Sequence, residues 1–123
     1  LFRSDAHKFD EACVQFAKTF PKIIREIRAV NPDVKIYADN IYNPAKGIDA
    51  FSQVYSAADA YINRMNRGFY PSDEYVLVDI KKCFDGEKES MVNLSFKGRE
   101  IDPHPSEKGH KKIAQMVIKA MER

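Results

Sequence analysis

Apolar residues in the first quarter of the chain recur at the spacing of an α-helix. Steps of four, three and four residues place four apolar side chains on one helical face: Phe9, Cys13, Phe16 and Phe20. Asp5 is predicted to cap the start of this helix. Pro21 either kinks the helix or takes the first position of a second helix, which Ile23, Ile24, Ile27 and Val30 continue. Asn31-Pro32 ends the helical stretch, because the residue before a proline is pushed out of the helical region.

Two later segments are predicted to be strands. Residues 34–38 alternate between apolar and polar side chains, and this strand could extend to Ile41. Residues 75–80 form an almost unbroken apolar run, which is typical of a strand covered on both faces in a parallel sheet. Between them, after a loop at Asn43-Pro44 and Gly47, Asp49 can cap a helix that Gly68 follows. Its predicted buried face consists of Phe51, Val54, Tyr55, Ala58, Ile62 and Met65.

The final helix has the clearest start signal. Ser106 can cap it, with Glu107 in the first turn, and its predicted buried stripe is Ile113, Val117 and Met121. Residues 91–96 match no regular pattern. The predicted order is therefore helix, helix, strand, helix, strand, loop, helix, which indicates an α/β protein with a parallel sheet.

Two parallel strands do not make a stable sheet by themselves. We therefore interpret residues 1–123 as a single partial domain whose remaining strands come from preceding sequence or from another chain. The sequence begins at Leu1 rather than Met, which also suggests a fragment or a processed product. It contains neither a signal peptide nor the ~20 apolar residues of a membrane span.

Composition narrows the function classes. The chain has 123 residues, 44% hydrophobic and 31% charged, as is ordinary for a soluble globular protein. A net charge of +2 without segregation argues against an electrostatically driven nucleic-acid or membrane binder. Two cysteines, Cys13 and Cys83, do not form a disulfide framework and are expected to be small buried or half-buried thiols. Nothing in the sequence calls for a cofactor.

The segment from Ile101 to His110 carries the candidate chemistry. Asp102 and His104 lie together in a loop that Pro103 and Pro105 stiffen. A carboxylate beside an imidazole is what a general base needs, because it fixes the tautomer and stabilises the imidazolium. The alternatives are that Asp102 only caps a turn and that His110 is a surface residue. A zinc site of Asp102, His104 and His110 is a third and weaker reading, since that spacing matches no site we can justify.

This segment resembles the final sequence block of the GDSL, or SGNH, esterase and lipase family. There, an Asp and a His followed by Pro precede the last helix, with a Gly a few residues on. The matching residues are Asp102, His104, Pro105, Ser106 and Gly109. Residues 27–32 (IRAVNP) and 41–44 (IYNP) are similar to the second half of bacterial members, so the resemblance covers essentially the whole chain.

The resemblance implies a flavodoxin-like three-layer α/β/α fold and an ester hydrolase with a Ser-His-Asp triad. His104 would be the base and Asp102 would orient it, although the family's Asp usually lies three residues before the His rather than two. The family's nucleophile block and its Gly and Asn blocks are absent. The strands that the sheet lacks and the serine that the triad lacks would therefore both belong to the same upstream sequence. We therefore expect the C-terminal half of such a domain, inactive alone, completed by its N-terminal half or a second copy.

The sequence leaves open the substrate, an alternative function and the localisation. The substrate would be a small-molecule, lipid or carbohydrate ester, and Tyr42 and Asn43 are candidates for contacting it because they follow a strand, where α/β folds place ligands. The alternative function is a non-catalytic α/β module that self-associates through an open sheet edge. Localisation is also open, since relatives of this type are often exported and their signal would precede Leu1.

Overall fold

A computed structural model describes residues 2–47, 52–93 and 102–123. The protein is mixed α/β and mostly helical, with one small parallel sheet of two strands in this part of the chain. Its elements in order are α1 (Phe2–Val30), β1 (Tyr37–Asp39), α2 (Ser52–Asn66), β2 (Val76–Val78), α3 (Ile80–Asp85) and α4 (Glu107–Met121). The predicted cap at Asp49, Phe51 on the face of α2, and the unassigned residues from 94 to 96 lie outside the described residues.

The prediction of two helices before the first strand is wrong, because α1 is continuous. Pro21 lies inside the helix, and Asp5 lies in its first turn rather than at its cap. A proline costs the helix one backbone hydrogen bond, but Phe20 and Ile24 on either side of it are buried against the sheet. Packing of the apolar face therefore holds the helix together through the proline.

The first strand is shorter than predicted and lies further along the chain. β1 starts at Tyr37, and it pairs in parallel with β2 so that Tyr37 lies opposite Val76. Residues 34 and 35 stay outside the sheet, where the Arg28 guanidinium donates to the backbone oxygen of Val34 at 3.2 Å. This guanidinium also donates to the backbone oxygens of Pro32 and Glu74, so it closes the turn after α1.

The second strand is also shorter, and a helix begins where its predicted end lay. Ile80 starts α3, which Asp79 caps by accepting a hydrogen bond from the backbone N–H of Lys82 at 3.0 Å. The prediction that both faces of the strand are covered is confirmed only in part among the described residues. Val76 is 44% exposed and Leu77 41% exposed, whereas Val78 is buried.

Helices lie on both faces of the sheet. Ile36 and Ala38 pack with Phe20 and Ile24 of α1, whereas the alternate residue Tyr37 packs with the cluster that contains α4. That second cluster is built on Val78, Ile80, Phe84 and Met91, with Ile113, Met116, Val117 and Ala120 against it. Helices therefore pack on both faces of the sheet but leave Val76 and Leu77 of β2 exposed.

The predicted end of α2 and the predicted start of α4 are confirmed. Ser106 caps α4 and Glu107 lies in its first turn, but Met121, predicted to be buried, is exposed. Gly68 follows α2 as predicted; a Cβ there would overlap the Phe16 ring, so the glycine is required for close packing. Val54 of the predicted α2 face is exposed.

Within the described ranges, none of the helices combines the length and apolar character that a membrane span requires.

Candidate functional site

Asp102 and His104 form a hydrogen-bonded pair. One carboxylate oxygen, Oδ1 of Asp102, lies 2.6 Å from Nδ1 of His104 and accepts the backbone N–H of His104 at 3.0 Å. The His104 side chain is 80% exposed. When Nδ1 donates its proton to the carboxylate, Nε2 carries the free lone pair of a neutral imidazole. The pair therefore presents a proton acceptor on the protein surface.

The carboxylate of this pair stays ionised at neutral pH. Hydrogen bonds from the backbone N–H and the ring of His104 hold the pKa of Asp102 below its usual range, with a smaller contribution from the Asn93 side chain. A charged carboxylate at this position favours the tautomer with the proton on Nδ1 and would stabilise an imidazolium.

Residues 91–93 hold the backbone of this loop. The backbone N–H of Asn93 donates to the carbonyl oxygen of His104 at 2.9 Å, and that of Ser106 donates to the carbonyl oxygen of Met91 at 2.8 Å. Val92 and Pro105 form the antiparallel bridge between these bonds. The backbone from His104 to Ser106 is thus tied to one extended segment, which holds this part of the loop in place.

Ser106 supports the loop and is fully used in doing so. Its Oγ accepts the backbone N–H of Gly109 at 3.1 Å and donates to the carbonyl oxygen of Met91 at 3.2 Å. This hydroxyl therefore caps α4, as predicted, and bonds away from the ring of His104.

Tyr42 lies beneath the loop. Its hydroxyl donates to the carbonyl oxygen of Pro103 at 2.7 Å, and its ring packs against Phe84 with centroids 4.9 Å apart. Burial raises the pKa of Tyr42, and the nearby charge of Asp102 raises it further. Because Tyr42 follows β1, this contact places the Asp102–His104 pair at the carboxyl end of the sheet.

Asn43 is separated from that surface. Its side chain is 1% exposed, donates to the carbonyl oxygen of Tyr55 at 3.1 Å and to Oδ1 of Asp59 at 3.3 Å, and accepts the backbone N–H of Ala45. Its polar atoms are used inside the fold. Of the two residues predicted to contact substrate, Tyr42 is therefore the one that the structure brings to the Asp102–His104 pair.

No serine completes a triad within the described part of the chain. Among those residues no hydroxyl is hydrogen-bonded to the His104 ring, and the hydroxyls of Ser72 and Ser90 accept local backbone N–H groups. His110 is exposed on the first turn of α4. Within the same ranges no three His, Cys, Asp or Glu side chains lie close enough to hold a metal ion.

A second polar cluster, which no sequence pattern predicted, joins α2 to α3. Lys81 is largely buried and forms ion pairs with Asp59 at 2.9 Å and Asp85 at 2.6 Å, and the hydroxyl of Tyr55 donates to Asp85 at 3.3 Å. Burial would lower the pKa of Lys81, but its hydrogen bonds to Asp85 and Asp59 raise it. The spacing of Lys81 and Asp85 on one helix was the only local signal, because Asp59 comes from a distant segment.

Comparison of the chain with protein-family models, with curated proteins and with solved structures gives no match.

Proposed function

We propose that this chain is part of an ester hydrolase of the GDSL, or SGNH, type, in which His104 is the general base and Asp102 orients it. The observation that carries the proposal is the 2.6 Å contact between Oδ1 of Asp102 and Nδ1 of His104, with the ring open to solvent. The nucleophilic serine would come from a segment outside these residues or from another chain.

The arrangement of layers is consistent with this proposal. Helices on both faces of a parallel sheet are the plan of a flavodoxin-like α/β/α fold. The apolar residues Ile23, Ile27 and Val30 share one face of α1 and are all exposed, the last to 88%. Further strands beside β1 would give this face a surface to cover.

The proposed reaction uses both nitrogen atoms of His104. Nε2 takes the proton from a serine hydroxyl as its oxygen bonds to the carbonyl carbon of the ester. The tetrahedral intermediate then expels the alcohol, whose oxygen receives that proton from Nε2. Water repeats the sequence on the acyl-serine, releasing the acid and the free serine. Throughout, Nδ1 stays bonded to Asp102, which balances the charge on the ring.

The test uses the polypeptide translated from the native start codon of the reading frame that contains this chain. We expect it to hydrolyse p-nitrophenyl acetate and to be labelled on serine by a fluorophosphonate. His104→Ala should lower kcat/KM by about a thousandfold or more. The matched control is His110→Ala, because His110 is also exposed and belongs to the same segment; it should leave kcat/KM within about twofold.

Two results would overturn the proposal. One is unchanged turnover in His104→Ala. The other is an intact, folded polypeptide that neither hydrolyses short-chain esters nor reacts with the fluorophosphonate.

The second candidate function is a non-catalytic module that completes its sheet with a second copy. The exposed stripe of Ile23, Ile27 and Val30 on α1 favours it, because large exposed apolar surfaces mark interaction sites. Sedimentation velocity of the chain separates the candidates. If the chain is a monomer at a concentration of about 100 µM, the module is excluded as its function, because a functional self-association should be populated at that concentration.

A further inference from the structure

The edge of β2 that faces away from β1 is open in the part of the chain that the structure describes. On the paired side, the backbone N–H of Val76 donates to the carbonyl oxygen of Ile36 at 2.8 Å, and the carbonyl oxygen of Val78 accepts from Asn40. Alternate residues of a strand direct their backbone groups to opposite edges. The N–H and C=O of Leu77 therefore point outward, where an added strand could bond to them.

Two clefts of different chemistry flank Leu77. On the α4 side, a cleft of about 500 Å³ is lined by Lys82, Lys119 and Arg123. On the opposite face, a cleft of about 470 Å³ is lined by the aromatic residues Phe69, Tyr70 and Tyr75, together with Pro71, Ser72 and Asp73. None of the described residues of β1 lines either cleft. Both clefts therefore open on the outer edge of β2.

The basic cleft carries a net positive charge among the described residues, with three cationic side chains and one carboxylate. Lys82, Lys119 and Arg123 are exposed and form no ion pair with a carboxylate among the described residues. Asp79, the one acidic residue that lines the cleft within those ranges, accepts hydrogen bonds from Asn40 and from the backbone of Lys82. Its carboxylate is thus engaged in capping α3.

We propose that this edge binds an extended acidic segment of a partner protein, which adds to the sheet as a third strand beside β2. Successive side chains of the added strand would face opposite clefts, so the preferred segment alternates acidic and apolar residues. Its backbone would bond to Leu77, its carboxylates would face Lys82, Lys119 and Arg123, and its apolar side chains would cover Phe69 and Tyr70.

Charge favours this occupant over a second copy. If two copies met edge to edge about a two-fold axis, each basic cleft would face the other, and like charges repel. The inference does not rest on Asp102 or His104. It is also compatible with the proposed hydrolase fold, since the flavodoxin-like strand order 2-1-3-4-5 leaves the last strand at an edge.

The test is fluorescence anisotropy of the 123-residue chain with a fluorescein-labelled octapeptide of alternating Glu and Val. We expect saturable binding with a Kd on the order of 10–100 µM at low salt, since so short an edge offers few hydrogen bonds. The variant Lys119→Glu/Arg123→Glu should weaken binding at least about tenfold. The matched control Lys18→Glu/Lys22→Glu makes the same charge change on exposed positions of α1 and should stay within about threefold.

Hydrogen exchange distinguishes strand addition from a loose electrostatic contact, because such a contact would not change the exchange rate of the Leu77 amide. The peptide should slow exchange of the Leu77 amide at least about tenfold, because strand addition gives that N–H a partner. An octapeptide of alternating Lys and Val should leave that rate unchanged.

Any of three outcomes would overturn the proposal. The first is no saturable binding of the Glu–Val peptide up to about 1 mM. The second is equal weakening by both double variants. The third is protection of Leu77 that rises with protein concentration alone and accompanies a dimer in sedimentation equilibrium, which would assign the edge to a second copy.

Discussion

The α-carbon of Gly109 lies directly against the carbonyl oxygen of Met91, and any Cβ at this position would overlap that oxygen. The same Cβ would lie 3.1 Å from Cβ of Pro105. The first turn of α4 is therefore pressed against the segment that holds the backbone of His104. Close packing at Gly109 therefore helps to position the backbone of His104, which lies five residues earlier in the chain.

This contact predicts that Gly109→Ala destabilises the protein. Alanine is the better helix former by about 1 kcal/mol, but the added methyl group must displace backbone, and overpacking of this kind costs about 1–3 kcal/mol. We expect a net loss in the free energy of unfolding, measured by urea denaturation. Gln115→Ala, at an exposed position of the same helix, should change it by less than about 0.5 kcal/mol. A Gly109→Ala protein as stable as the parent would contradict the packing argument.

The Asp102–His104 pair predicts a tautomer change in Asp102→Asn. The amide keeps the shape of the side chain but loses the charge that favours a proton on Nδ1, so Nε2 gains the proton and ceases to be an acceptor. The ¹⁵N chemical shifts of the His104 ring report this directly. If the proposed hydrolase function holds, kcat should fall by about 10³–10⁴-fold. Asp33→Asn, at an exposed position after α1, is the control for loss of one carboxylate and should alter neither readout.

Much of what the sequence predicted correctly was encoded locally. Ser106 caps α4 because its hydroxyl meets an N–H three residues on, and Asn31-Pro32 ends α1 because a proline constrains its own neighbour. The closeness of Asp102 and His104 has the same origin, since the two are separated by only one residue. Patterns of this kind need no knowledge of the remaining chain.

The features that the sequence did not predict depend on distant partners. Pro21 stays inside α1 because Phe20 and Ile24 pack on a sheet that forms later in the chain. Asn43, predicted to contact substrate, is buried because Tyr55 and Asp59 of α2 surround its amide. No spacing within a single segment could have indicated either contact.

Tyr42 links the sheet to the candidate site, which predicts a measurable effect of Tyr42→Phe. The variant loses the hydrogen bond to the carbonyl oxygen of Pro103, and we expect the free energy of unfolding to fall by about 0.5–1.5 kcal/mol. Amide exchange of His104 should also accelerate, because the loop loses one of its anchors. Tyr61→Phe removes a hydroxyl from an exposed tyrosine and should change neither the free energy of unfolding nor the amide exchange of His104. Equal effects of the two variants would show that the Pro103 contact does not hold the loop.

The Lys81 cluster predicts how stability depends on pH. Burial would raise the pKa of Asp59, but hydrogen bonds from Lys81, Asn43 and Asn63 lower it overall. Because the folded pKa lies below the unfolded value of about 3.9, the contribution of Asp59 is complete above that value and is lost as pH falls through the folded pKa. For Lys81, whose pKa is raised, the contribution is complete below about 10.4 and is lost as pH rises through the folded pKa.

Removing the cation should therefore matter at neutral pH and much less in acid. Lys81→Met leaves the carboxylates of Asp59 and Asp85 without their shared partner, and we expect a loss of about 1–2 kcal/mol at pH 7, since the cluster still reaches solvent. In the variant, Asp59 lacks the Lys81 hydrogen bond that lowers its pKa, so its protonation near pH 3 relieves the repulsion and the difference from the parent should shrink by at least about half. Urea denaturation at both pH values measures it, with Lys111→Met, which breaks only the exposed pair with Glu107, as the control. A loss of the same size at pH 3 and pH 7 would mean that the Lys81 side chain stabilises the fold by packing rather than by charge.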